Sequence, residues 1–111
     1  MVSRFVPDSG DLIWVDFDPT KGNEQAGCRP AVVLSPFIYN NKTGLCLCVP
    51  CTTKTKDYPF EVVLNGQERD GVALADQVKS IAWRVRGVTK KGKVTEQELQ
   101  LIRAKIKTLI G

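Results

Sequence analysis

The chain contains no histidine among its 111 residues. That removes the side chain whose charge changes nearest neutral pH, the commonest general acid–base group and the commonest metal ligand. Any catalysis falls to Glu, Asp, Arg, Lys, Tyr, Cys or Ser/Thr. No run of about 18 apolar residues occurs, so no membrane-spanning helix is expected. The opening residues, Met1 to Asp8, lack the apolar core of a secretory signal, which points to the cytoplasm. Internal repeats, low-complexity tracts and a domain boundary are also missing. The expectation is a single domain over residues 1–111, long enough to bury about two thirds of its unfolded surface.

What is present is ordinary for a globular protein: 42% apolar and 25% charged residues. The net charge of +4, from 16 Lys and Arg against 12 Asp and Glu, modestly favours a polyanion or an acidic peptide as partner. Of the four cysteines, Cys46 and Cys48 alternate on an apparent strand and share a face, while Cys28 stands alone. A four-thiolate zinc site usually shows paired knuckles. The competing reading is small, buried apolar thiols in a reducing compartment. No metal or cofactor is expected.

Apolar runs at Leu12–Phe17, Ala31–Leu34, Leu45–Cys51, Pro59–Leu64 and Val72–Ala75 predict short strands. Pro50 is expected to stop regular pairing in the third. Residues Pro36 to Gly44 read as a turn with room for one helical turn. Trp83–Val88 alternates like a strand, with Arg84 and Arg86 on one face. That face is either solvated or a phosphate-binding stripe continued by Lys79, Lys90, Lys91 and Lys93. Only the last segment looks clearly helical. Thr95 and Glu98 form a capping box, and Leu99, Ile102, Ile106 and Leu109 make one stripe. The predicted class is mainly β with a C-terminal helix, a small SH3-like barrel.

Between the first two strands runs Asp16 to Pro30, longer than the usual connection of about two to five residues. It holds Glu24 and Arg29. Long loops on a β scaffold often carry function, although exposed charges commonly pair with little effect. If the second and third strands form a hairpin, Arg29 and Thr52 come to the same end of it. A carboxylate, a guanidinium and a hydroxyl together suit cleavage of an RNA phosphodiester by its own 2′-hydroxyl. The substrate supplies the nucleophile. The protein needs a base, a fixed positive charge at the phosphorane and a neutral donor.

Gly22-Asn23-Glu24-Gln25-Ala26-Gly27-Cys28-Arg29-Pro30, with Ala31–Ser35 after it and Gly10–Thr20 before it, resembles the signature of the MazF/PemK toxin family. Val49-Pro50-Cys51-Thr52-Thr53 and Ala75–Ile81 match further blocks in the right order. The resemblance covers essentially the whole chain and is nearest to the chromosomal branch of enteric bacteria. It implies an SH3-like barrel with a C-terminal helix, assembled as a homodimer. It implies a ribosome-independent, metal-independent endoribonuclease that cuts single-stranded RNA, chiefly mRNA, at ACA. The ends would be a 2′,3′-cyclic phosphate and a 5′-hydroxyl. The partner would be a MazE-like antitoxin with an acidic C-terminal segment, the two together binding DNA.

On the same resemblance, Glu24, Arg29 and Thr52 match catalytic positions: base or orientation, phosphate binding and charge handling, and transition-state hydrogen bonding. Asn40, Thr53, Lys56, Gln77, Lys79 and Arg86 are the expected RNA contacts. The PemK/Kid branch relies on a histidine and an arginine where this chain has Asn23 and Leu74, so that mechanism does not transfer and Asp76 is a doubtful catalyst. Cys28 replaces a histidine of close relatives. Two other classes share the fold: CcdB-type gyrase poisons, whose Trp-Gly-Ile tail this chain lacks, and non-catalytic barrels that bind RNA or peptide.

Overall fold

The computed structural model describes residues 5–16, 28–65 and 71–111. Among these residues, seven strands and three helices follow one another as β1 (Asp11–Asp16), β2 (Cys28–Val33), α1 (Phe37–Thr43), β3 (Cys46–Thr52), β4 (Glu61–Leu64), β5 (Gly71–Leu74), β6 (Lys79–Ile81), α2 (Trp83–Arg86), β7 (Thr89–Lys93) and α3 (Glu96–Ile110). The strands form one sheet in the order β4-β5-β3-β2-β1-β7, with β6 added beside β3. Neighbouring strands pair antiparallel throughout. The mainly β, SH3-like architecture with a C-terminal helix is the one expected.

Alternation along each strand divides the apolar side chains between two cores. Leu12, Val32, Val49, Cys51, Val62, Leu64 and Ala73 pack on one face with Leu99 and Ile102 of α3. Ile13, Val15, Ala31, Val33, Cys46 and Cys48 pack on the other with Ile81 and Trp83. Each large side chain buried in this way contributes about 1.5–3 kcal/mol. Cys46 and Cys48 are therefore buried apolar side chains, and all four cysteines are free.

Helix α3 begins where expected. The Thr95 hydroxyl accepts from the Glu98 amide, and the Glu98 carboxylate accepts from the Thr95 amide. The same carboxylate takes the Asn65 amide at 2.7 Å, tying the helix start to the end of β4. Of the expected stripe, Leu99 and Ile102 are buried and Ile106 is half-buried, but Leu109 is exposed.

Three local expectations are corrected. Trp83–Arg86 is a helical turn rather than a strand, so Arg84 and Arg86 form no shared strand face. Long-range bonds override the alternation. The Trp83 indole donates to the Asn40 carbonyl at 3.0 Å, and the Arg84 guanidinium donates to the Asn41 carbonyl at 2.6 Å. Residues Phe37 to Thr43 make a longer helix than one turn, closed by Gly44 at φ 74°, where a Cβ would crowd the Arg84 guanidinium. Pro50 does not end β3. It pairs with Ala31 on one side, and on the other it lies between the β6-paired Cys46–Cys48 and the β5-paired Cys51–Thr52. The missing amide thus sits near the hand-over between two partners.

Candidate active site

The even-numbered side chains of β1, Leu12 and Trp14, face the same side as Pro30 of β2 and Cys51 of β3. Beyond the packed core, this face opens into a cleft of about 690 Å³ lined by Leu12, Trp14, Arg29, Pro30, Cys51, Thr52, Thr53, Leu64, Gly71 and Lys91. The volume lies within the range of ligand sites, about 300–1,000 Å³. Its floor is apolar, and its rim carries two cations and two hydroxyls.

Arg29 and Thr52 both border the cleft, from the ends of adjacent strands. Ala31 pairs with Pro50 and Val32 with Val49. Carried two steps on, that register would bring Arg29 level with Thr52; by the same alternation both belong to the face of Val15, so they border the cleft at its edge. Neither residue lies in a flanking loop as expected: Arg29 is the second residue of β2 and pairs with Val15, and Thr52 is the last of β3. The Thr52 hydroxyl oxygen accepts from the Lys54 amide at 3.1 Å. Its own proton then remains for an acceptor in the cleft.

Two rim residues carry weight that the sequence did not reveal. Trp14 sits within an apolar run and reads as core, yet it is 37% exposed. The Lys91 ammonium lies over the Trp14 ring, 5.3 Å from its centroid. Lys91 belonged to the basic stripe, but only as one of several lysines. Cys51, on the floor, is 5% exposed, and burial pushes its thiol up to about 12, with Lys91 opposing.

The other expected site residues are scattered. Glu24 falls outside the described residues. Thr53 lines the cleft. Lys56 and Gln77 are exposed and do not line it, and Lys79 is exposed on β6, paired with Cys48. The Arg86 guanidinium donates to the Asp16 carbonyl at 2.6 Å, at the root of the first long connection. Asn40 is fully buried and needs correcting as a contact residue. Its amide donates to the Pro7 and Ser35 carbonyls and accepts from the Ser35 hydroxyl, which commits it to the scaffold. Asp76 accepts from the Tyr58 hydroxyl at 2.8 Å. That contact raises the Tyr58 pKa.

Comparison with known proteins gives a consistent picture. The family model described as PemK-like, MazF-like toxin of type II toxin–antitoxin system matches residues 8–110. The chain is 83% identical to the endoribonuclease toxin MazF of Escherichia coli K12 over 111 residues, all of both proteins. It is 30% identical to the E. coli endoribonuclease PemK, over 93% of this chain and 81% of that one. Among solved structures, it is similar to MazF of Deinococcus radiodurans, with a TM-score of 0.87 and 43% identity over 97% of this chain and 99% of that one. It is also similar to a chain of a MazE–MazF structure from the same organism, with a TM-score of 0.86 and 39% identity over 97% and 98%.

Proposed function

This chain belongs to the PemK-like, MazF-like toxins of type II toxin–antitoxin systems, and from that premise we propose that it is an endoribonuclease cutting single-stranded RNA in the Arg29–Thr52 cleft. The observation that carries the site assignment is the convergence of Arg29 and Thr52 from adjacent strands onto one cleft.

The chemistry follows from those groups. The ribose 2′-oxygen attacks the adjacent phosphorus, and the bond to the 5′-oxygen of the next nucleotide breaks. The products are a 2′,3′-cyclic phosphate and a 5′-hydroxyl, the leaving oxygen taking up a proton. A guanidinium grips two non-bridging oxygens and offsets the charge that grows in the phosphorane. Thr52, with its oxygen already engaged by the Lys54 amide, offers its proton to one of those oxygens. Lys91 supplies a second positive charge at the rim. Glu24 is assigned as the base that takes or orients the 2′-hydroxyl proton. Thr53, at the mouth, is assigned to RNA binding. The nucleophile belongs to the substrate, so this scheme calls for no metal.

The substrate sequence is proposed to be ACA, the compartment the cytoplasm, and the active unit a homodimer. The partner is a MazE-like antitoxin, whose acidic segment would compete with RNA for the cationic rim. Growth inhibition follows from loss of mRNA.

An ACA-containing RNA incubated with the protein in EDTA, beside the same RNA with one 2′-deoxy sugar 5′ of the cut, tests this reading. Cleavage of the first alone, leaving a cyclic phosphate, is expected. Cleavage of both would exclude the 2′-hydroxyl route, and cleavage of neither would exclude the nuclease.

A further inference from the structure

Thr52 opens the connection between β3 and β4, and that connection is folded around a single carboxylate. Glu61, the first residue of β4, receives the Thr55 hydroxyl at 2.7 Å and the Tyr58 amide at 3.4 Å on Oε1, and the Lys56 amide at 2.9 Å on Oε2. The Glu61 amide returns a bond to the Tyr58 carbonyl at 3.0 Å. The Thr55 hydroxyl oxygen also accepts the Asp57 amide at 3.3 Å, and Asp57 takes the left-handed φ of 55° that lets the chain turn back on the carboxylate. At the other end, the Lys54 amide holds the Thr52 hydroxyl oxygen. An unbroken chain of contacts therefore runs from Glu61, through Thr55 and the Lys54 backbone, to the hydroxyl assigned to the transition state.

A carboxylate beside an RNA-binding cleft is costly if it merely faces solvent, since it repels phosphate. Here its charge is spent on a hydroxyl and backbone N–H groups, which hold an anion well. Glu61 does not line the cleft. We infer that Glu61 is a positioning residue for the cleavage reaction: it fixes the Thr52–Tyr58 segment so that the Thr52 hydroxyl is presented to the phosphate. This role rests on the nuclease reading above.

A double-mutant cycle tests it, with Glu61→Ala made in the native chain and in Thr52→Val. Displacement of a catalytic group by about 1 Å can cost about 100-fold, so Glu61→Ala should lower kcat by about 10- to 100-fold in the native background. In the Thr52→Val background it should lower kcat by less than about 3-fold, because the hydroxyl it positions is gone. Glu61→Gln keeps one acceptor oxygen for Thr55 and Tyr58 but turns an NH2 toward the Lys56 amide. It should fall between native and alanine, and it carries the test alone if the alanine variant does not melt cooperatively. Equal losses in both backgrounds, or native kcat in Glu61→Ala, would overturn the positioning role. A native protein that leaves RNA uncut overturns the nuclease reading instead.

Discussion

At the scale of single residues, the proposed roles of the groups around the cleft can be separated by substitution. Arg29→Ala should lower cleavage by about 100- to 1,000-fold, the usual cost of removing one fixed transition-state partner, while circular dichroism and melting stay native. Cys28 is exposed on β2 beside Arg29, and Cys51 is buried with a raised pKa. Iodoacetamide at pH 8 should therefore alkylate Cys28 well before Cys51 by peptide mass mapping, and Cys28→Ser should cleave RNA at the native rate. Glu61 gives a pH marker. The Thr55 hydroxyl first, then the Lys56 amide, lower its pKa. The ordering it provides is complete above the ordinary carboxylate range and is lost as pH falls through the lowered value. The Lys56 amide resonance should titrate below that ordinary range, and the titration should vanish in Glu61→Gln. Arg29 and Thr52 were legible from sequence because strand pairing is simple geometry. Asn40 was misjudged because a polar residue in a polar turn gives no sign that three hydrogen bonds will bury it. Trp14 was missed because exposure within an apolar run shows only once the neighbouring strand ends are in place.

At the scale of elements, local signals worked where one segment settles its own conformation. The capping box of α3 is such a case, and Thr95→Ala should cost about 1 kcal/mol in urea unfolding, without moving kcat. The strands β1 to β5 were legible from β-branched and aromatic runs, with ends shifted by up to three residues. Failures fall where a distant partner decides. Helix α2 alternates like a strand, but it is shaped by bonds to Asn40 and Asn41, more than forty positions earlier in the chain. Strand β7, Thr-Lys-Lys-Gly-Lys, has no apolar pattern and becomes a strand by pairing with β1 across a bulge. The passage of β3 through Pro50 depends on its two different neighbours on one side, which a single sequence does not display.

At the scale of the whole molecule, the net charge of +4 predicts a contrast between binding and folding. Affinity for a 2′-deoxy-blocked RNA, measured by anisotropy, should fall about 10-fold or more between 50 and 200 mM salt. The melting temperature should move little over the same range, because the two apolar cores are not screened by salt. The layout of the sheet has a different consequence. Its path ends at β4 on one side and β7 on the other. Helix α3 ties down both ends of β4, through Glu98 to the Asn65 amide and Lys105 to the Pro59 carbonyl. The β7 margin instead carries Lys90, Lys91 and Lys93. Open strand margins are templates for chain-to-chain growth, and lysine is the common deterrent. Among the described residues, one margin of the sheet is covered by packing and the other is lined by lysines, two of them paired with Asp11, an arrangement that disfavours edge-to-edge growth.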